Sequence, residues 1–355
     1  MDKVKKILNR IFIDGLGAMG FGLFGTLIIG TIIEQIGNLI GGGVGSTIVL
    51  FGKFAQALTG AGIGVATAYK FKESMLVTVS AASAGMIGAF AAKILEGGVL
   101  EETTIHLAGP GEPLGAFLAA LVAIGAGHLV SGKTKIDILV TPMVSILTGG
   151  VTGLLIGPPI SGFMAWLGSL INWGTEQQPF LMGVIVSVLM GMILTLPISS
   201  AALGIMLGLD GIAAGAAAVG CCANMIGFAV ASYRENKIGG LLAQGLGTSM
   251  LQVPNIVKKP VIWLPAIISS AILGPISTVV LGMTNNAKGS GMGTAGLVGQ
   301  LMAWQTMEPE FGAAVTLIEI AVMHFILPAI LALVISEIMR KMNLIKPGDM
   351  KLERV

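Results

Sequence analysis

Long, nearly uninterrupted apolar runs recur along this chain, over residues 16–36, 44–69, 74–94, 114–131, 137–156, 180–200, 261–283 and 311–339. A helix of about 20 such residues spans a hydrocarbon core of roughly 30 Å, so each run reads as a membrane crossing. Composition agrees, because 54% of residues are hydrophobic and only 11% charged, with a mean hydropathy of +0.91. A soluble fold could not solvate that surface. The net charge of +2 is the small sum of 20 basic and 18 acidic side chains, which gives nucleic acid no footing. The expectation is an all-α polytopic membrane protein of about 8–10 transmembrane helices.

Between these runs lie apolar but broken stretches at 157–172, 200–232, 238–256 and 285–302, where Gly, Pro, Ser and Asn recur every few residues. Such stretches suit half-helices or re-entrant hairpins. Loop charge then orients the chain. Lys70, Lys72, Lys133, Lys135, Arg234, Lys237, Lys258, Lys259 and the tail residues Arg340, Lys341, Lys346 and Lys351 mark one side, while the loops around Glu101, Glu176 and Glu308 carry acids without Lys or Arg. With the basic set inside, both termini are cytoplasmic and the count is about eight, provided 200–232 returns to the side it entered from; if it crosses, the count becomes about ten. Trp173 and Trp304 beside the acidic loops, and Tyr69 and Tyr233 beside basic ones, fit interfacial belts.

Residues 1–13 interleave Lys3, Lys5, Lys6 and Arg10 with Val4, Ile7, Leu8, Ile11 and Phe12. That pattern suits a basic amphipathic helix on the cytoplasmic surface, the alternative being a short flexible tail. The apolar run is too short and broken for a cleaved secretory signal. Residues 14–339 then form one transmembrane domain and 340–355 a short cytoplasmic tail. Two internal echoes stand out. Ile63-Gly-Val-Ala-Thr-Ala-Tyr69 parallels Ile226-Gly-Phe-Ala-Val-Ala-Ser-Tyr233, and a Pro-Ile-Ser motif recurs at Pro159, Pro197 and Pro275. Internal repeats framing a midplane site are common in secondary transporters.

The stretch Asn285 to Gln300 is the least lipid-compatible part of the chain, with five glycines, two asparagines and Lys288. Unpaired backbone in hydrocarbon costs about several kcal/mol per group, so such a segment lines a cavity or a pathway. Its G-x-G-x-x-G look, from Gly291 to Gly296, lacks the flanking strand and the acidic residue of a nucleotide fold, and Lys288 does not sit where a phosphate-loop lysine would. The glycines instead let backbone approach a polar ligand. Asn224, Gln252, Asn255, Asn285, Asn286, Ser290 and Gln300 then offer neutral donors and acceptors suited to hydroxyls, with helix capping and tight helix packing as the alternative role. Lys288 is either an interfacial charge or a ligand contact.

Ionisable residues inside spans are costly and usually functional. Lys53 sits deep enough that a partner carboxylate or a polar cavity is expected, Glu34 reaches an interface, and Asp210 is placed to cap a half-helix. His128 and His324 are each either a buried ligand or a hydrogen-bonded structural group. Glu319 lies five residues before His324, off its helical face, so the two are not a proton pair. Cys221 and Cys222 are adjacent in apolar surroundings and read as reduced packing thiols. No metal-ligand spacing is present, and no cofactor or metal is expected.

The runs LPISSAALG (196–204), ANMIGFAVASYRENKIGGLLAQGLGTSMLQVPNI (223–256) and LGPISTVVLGMTNNAKGSGMGTAGLVGQ (273–300) resemble the membrane IIC component of the bacterial phosphotransferase system. More narrowly, they resemble the stand-alone IIC-like family that includes the perfringolysin O regulator. The resemblance covers essentially the whole chain and implies a multi-pass protein of the bacterial inner membrane, homodimeric, in which a transport domain carries sugar past a fixed dimerisation domain. It places the solute site on the broken hairpins. It also implies separate soluble IIA and IIB partners, because no IIA or IIB domain is expected in a chain whose last span ends near Met339. Phosphoryl transfer would belong to those partners, so the chain is expected to be a transport component and not an enzyme. The function expected is alternating-access uptake of a sugar or polyol; the alternatives are a membrane sensor that keeps the binding site and an uncoupled facilitator.

Overall fold

The computed structural model describes residues 10–101, 104–107 and 109–352, which are almost entirely helical. Most of the expected amphipathic helix over 1–13 lies outside the described residues; its end, from Arg10, opens a π-helical turn, Arg10–Gly15. Contacts divide the chain into two compact units, Met1–Ala165 and Trp166–Val355. Among the described residues, six helices are long and apolar enough to cross a membrane, a bent pair adds a seventh, and Met75–Ala89 and Pro179–Thr195 are shorter apolar helices. The all-α polytopic fold expected from hydropathy is thus the fold observed.

In the first unit, Arg10–Ile40 runs continuously through two π-helical turns and folds back as Gly42–Ala57. The two arms meet where only glycine fits: a Cβ on Gly37 would stand 2.7 Å from the Gly45 carbonyl oxygen. The expected span 44–69 is instead two helices, Gly42–Ala57 and Thr59–Lys70, bent by 52°. Met75–Ala89 begins at an N-cap, with the Ser74 hydroxyl accepting from the Val77 amide at 3.4 Å. Glu112 caps Pro113–Val130 by accepting from the Leu114 amide. The acidic loop before it carries a short antiparallel pairing, Leu100 with Ile105 and Glu101 with Thr104.

The division between units falls inside Asp137–Thr175, a helix of 39 residues. A span to 156 followed by a break at 157–172 was expected there; Pro142, Pro158 and Pro159 all sit within the helix. Proline removes a backbone donor, but membrane helices absorb that loss by local adjustment without ending.

The second unit is built around Gly211–Ala231, a 21-residue helix whose apolar window is 83% buried. At about 1.5 Å per residue it is long enough to cross. This corrects the reading of 200–232 as broken throughout: a short helix, Ser200–Met206, precedes one continuous helix. Pro179–Thr195, Leu264–Pro275 and Leu327–Lys341 pack around it. The other two broken stretches are broken as expected. In 233–258 a helix interrupted at Lys237 leads to a π-helical turn, Ala243–Gly247, a 3-10 turn and the helix Val253–Lys258. In 285–302, the single turn Ala287–Ser290 is followed by a 3-10 turn and the start of Val298–Phe311.

Candidate functional site

The polar residues of the second unit fall into groups, each placed by one break in the helical framework. On the 285–302 hairpin, Asn285 is fully buried and its amide nitrogen donates to the Gly299 carbonyl at 3.0 Å, while its oxygen accepts from the Asn286 amide at 2.8 Å. Asn286 caps the short helix, its side-chain oxygen accepting from the Lys288 and Gly289 amides at 3.1 Å each. Ser290 donates to the Ala287 carbonyl at 3.0 Å. Neighbouring Gly291 receives the Ser200 hydroxyl at 2.6 Å, and Asn285 pairs through its backbone with Gly211. Asn285, Asn286 and Ser290 are therefore brought together against the start of the central helix. Lys288 is exposed.

The 233–258 segment meets this hairpin directly, because the Thr294 hydroxyl donates to the Gly245 carbonyl. Each of the two segments also holds a non-glycine residue at positive φ, Lys237 at 53° and Leu297 at 60°. Backbone in this sparsely populated region is kept only where the surrounding fold over-determines it, and it clusters at functional sites. Gly293, at φ 51°, packs so that an added Cβ would lie 2.8 Å from the Cys221 backbone.

Asn224 is the hub of a second group. Its oxygen accepts from Trp263 Nε1 at 2.9 Å and the Thr195 hydroxyl at 3.2 Å, and its nitrogen donates to Ser270 Oγ and the Gly220 carbonyl. Thr195 shares a further hydrogen bond of 2.8 Å with Ser249. These bonds tie three helices to the 3-10 turn at Ser249–Gln252. Gln252 and Asn255 form a third group: Asn255 donates to Gln252 Oε1, and Gln252 donates to Gln244 Oε1, both at 2.8 Å. Gln244 in turn donates to the Ser232 hydroxyl at 2.9 Å.

Gln300 stands apart from the other amides. Its nitrogen lies 3.1 Å from His324 Nδ1 and donates to Cys222 Sγ at 3.3 Å, but its buried carbonyl oxygen has no hydrogen-bond partner. His324 is 1% exposed and sits in a π-helical turn, Val322–Ile326. An unpaired buried carbonyl costs about 1–3 kcal/mol. Ser277 Oγ, Thr316 Oγ1 and Glu319 Oε2 are likewise buried without partners.

The remaining sequence candidates lie elsewhere. His128 is exposed and bonds Glu73 at 2.9 Å, with Arg10 on the other oxygen of the same carboxylate. Lys53 is exposed, and the expected partner carboxylate is not found among the described residues. Glu34 accepts from Gln56 at 2.6 Å, and Asp210 occupies the N-cap position of the central helix without a side-chain bond. Cys221 and Cys222 are buried and unpaired with each other. Sequence reasoning missed Thr195, Trp263, Ser270, Gln244, Asn236 and Thr294. A neighbouring signal existed for Thr294, inside the Asn285–Gln300 stretch, and for Asn236 and Gln244, inside the 223–256 run, but not for Thr195, Trp263 or Ser270.

Polar, broken hairpins folded into the interior of a helical membrane protein are the architecture on which membrane transporters build their solute sites. The family model "Phosphotransferase system, EIIC" matches residues 13–352, and the chain belongs to that family. The domains of this family are membrane transport components that work with IIA and IIB proteins. No curated protein matches the chain.

Proposed function

We propose that this protein binds and translocates a small polyhydroxylated solute, a sugar or polyol, by alternating access, with the 233–258 and 285–302 segments forming the solute site. Gln252, Asn255, Asn285, Ser290 and Gln300 would supply its polar partners. The observation that carries this reading is the unpaired, buried carbonyl of Gln300 on a neutral, amide-rich hairpin. A hydroxyl donor completes such an acceptor without the desolvation penalty that an ion would bring. Asn286 already caps a helix and Asn224 is saturated by protein, so these two are best read as holding the framework that aims Gln300. His324, 3.1 Å from the same amide, orients it, and Glu319 is kept as a second intramembrane polar group.

The expected setting is the bacterial inner membrane, as a homodimer with cytoplasmic termini, coupled to separate IIA and IIB chains. Uptake of radiolabelled hexoses, pentoses and hexitols into proteoliposomes tests the function. Saturable uptake of one of them supports a carrier. Binding without flux makes the protein a sensor, non-saturating flux makes it a facilitator, and the absence of both binding and flux rejects the solute site.

A further inference from the structure

The geometry points to the C-terminal segment as a strap that covers Gln252 and Asn255 and must lift before those amides can serve a solute. This inference rests on the solute-site reading above and adds its regulation. After Leu327–Lys341 the chain turns through Asn343, at φ 58°, and runs back over the 233–258 segment. Two apolar side chains anchor it: Ile345 and Met350 are 1% and 0% exposed, in a cluster with Phe228, Ile256 and Trp263. Between them Lys346, Pro347 and Gly348 stay exposed.

The polar bonds explain why the strap falls on the candidate site. Gln252 Nε2 donates to the Met350 carbonyl and Asn255 Nδ2 to the Lys351 carbonyl, both at 3.0 Å. The tail backbone thus occupies donors that the solute-site reading assigns to hydroxyls. Asn236 clasps the same stretch from the other side, donating to the Met350 carbonyl and accepting from the Leu352 amide, each at 2.8 Å. Lys259 pairs with Asp349, and Glu235 accepts from the Gly348 amide at 3.4 Å. No secondary-structure ladder holds this stretch. Its attachments are side-chain bonds to a few backbone carbonyls and amides, the Lys259–Asp349 pair and two plugged side chains, the kind of contact that opens locally without unfolding the rest.

Hydrogen exchange read by mass spectrometry, on the full chain in proteoliposomes, tests the strap together with solute entry. Asn236→Ala and Asp349→Asn each release it without touching Gln252 or Asn255. The expected result is exchange at 346–352 roughly tenfold faster in either variant than in the wild type. Faster initial entry of a radiolabelled hexose or hexitol should accompany it. Unchanged exchange in both variants overturns the strap. Faster exchange with entry no quicker than wild type overturns its control of the site and leaves the solute reading standing. If neither wild type nor variants take up or bind any of the probes, the solute reading itself fails, and the control of access falls with it.

Discussion

Replacing Gly220 with alanine tests the packing that places the hairpins. Gly220 lies on the central helix against Pro179–Thr195, and a Cβ there would stand 1.9 Å from the Ser187 carbonyl oxygen and 2.5 Å from its carbon. Ordinary contact is about 3.5 Å or more, so the two helices must part by roughly 1 Å or more. Overpacking of this kind costs about 1–3 kcal/mol. The same displacement strains the Asn224 and Ser270 bonds to the Gly220 carbonyl, at 3.2 and 3.3 Å, each worth about 0.5–1.5 kcal/mol. The total expected is about 2–6 kcal/mol, or a fall in melting temperature of roughly 3–8 °C for a chain of this length. Tryptophan-fluorescence melts in detergent measure it. Gly125→Ala is the control, because that helical glycine has nothing within 4 Å of an added Cβ, and alanine there should add about 0.5–1 kcal/mol. If Gly220→Ala melts with wild type or with the control, the close helix contact does not exist and the argument fails.

Breaking the Arg340–Glu235 pair, whose side chains are 8% and 7% exposed, by Arg340→Met should destabilise by about 3–5 kcal/mol, because a buried carboxylate loses its partner; a melt within a degree of wild type contradicts this. Burial pushes the Glu112 carboxyl from its ordinary 4.5 up to about 7, against the smaller opposing pull of the Leu114 amide. The folded state therefore holds that proton more tightly, so the contribution to stability is complete below about pH 4.5 and is lost as pH rises through about 7. Glu112→Gln should flatten that part of the profile, and an unaltered profile counts against it. Asp349 moves the opposite way: burial acts to raise its carboxyl, but the Lys259 and Lys346 contacts outweigh it and hold it below the ordinary aspartate value. Its contribution is present above that ordinary value and lost only as pH falls through the lower folded one. Tail exchange should thus stay slow down to about pH 4, and release near pH 5 would refute it. Asn286→Ala should cost about 1 kcal/mol as a lost helix cap, read in the same melts.

The spans 261–283 and 311–339 were legible because apolar length alone decides them, and Pro260–Leu281 and Ala313–Lys341 match closely. The breaks at 238–256 and 285–302 were legible because Gly, Asn and Pro crowd there. Gly211–Ala231 was misread as broken for a related reason. Its glycines and alanines look like interruptions, yet Gly215 and Gly220 are small because other backbones pack against them: a Cβ on Gly215 would lie 2.0 Å from the Met283 carbonyl oxygen. The bend at Leu58 has no proline to announce it, and the Pro158–Pro159 pair announced a break that the helix absorbs. At the candidate site, Asn224, Gln252 and Gln300 stand out in the sequence by their polarity in an apolar chain. Their partners could not, since Asn224 reaches Trp263 across 39 positions and Gln252 reaches Met350 across 98. Nothing local in sequence encodes such pairings.

The solute site itself is tested most directly by equilibrium binding of labelled hexoses, pentoses and hexitols to purified wild type and to Gln300→Met, both checked for monodispersity. The account predicts saturable binding of at least one solute to wild type and a loss of roughly tenfold or more in the variant, as one buried hydrogen bond would give. Binding that is absent from wild type, or identical in the two proteins, would contradict it.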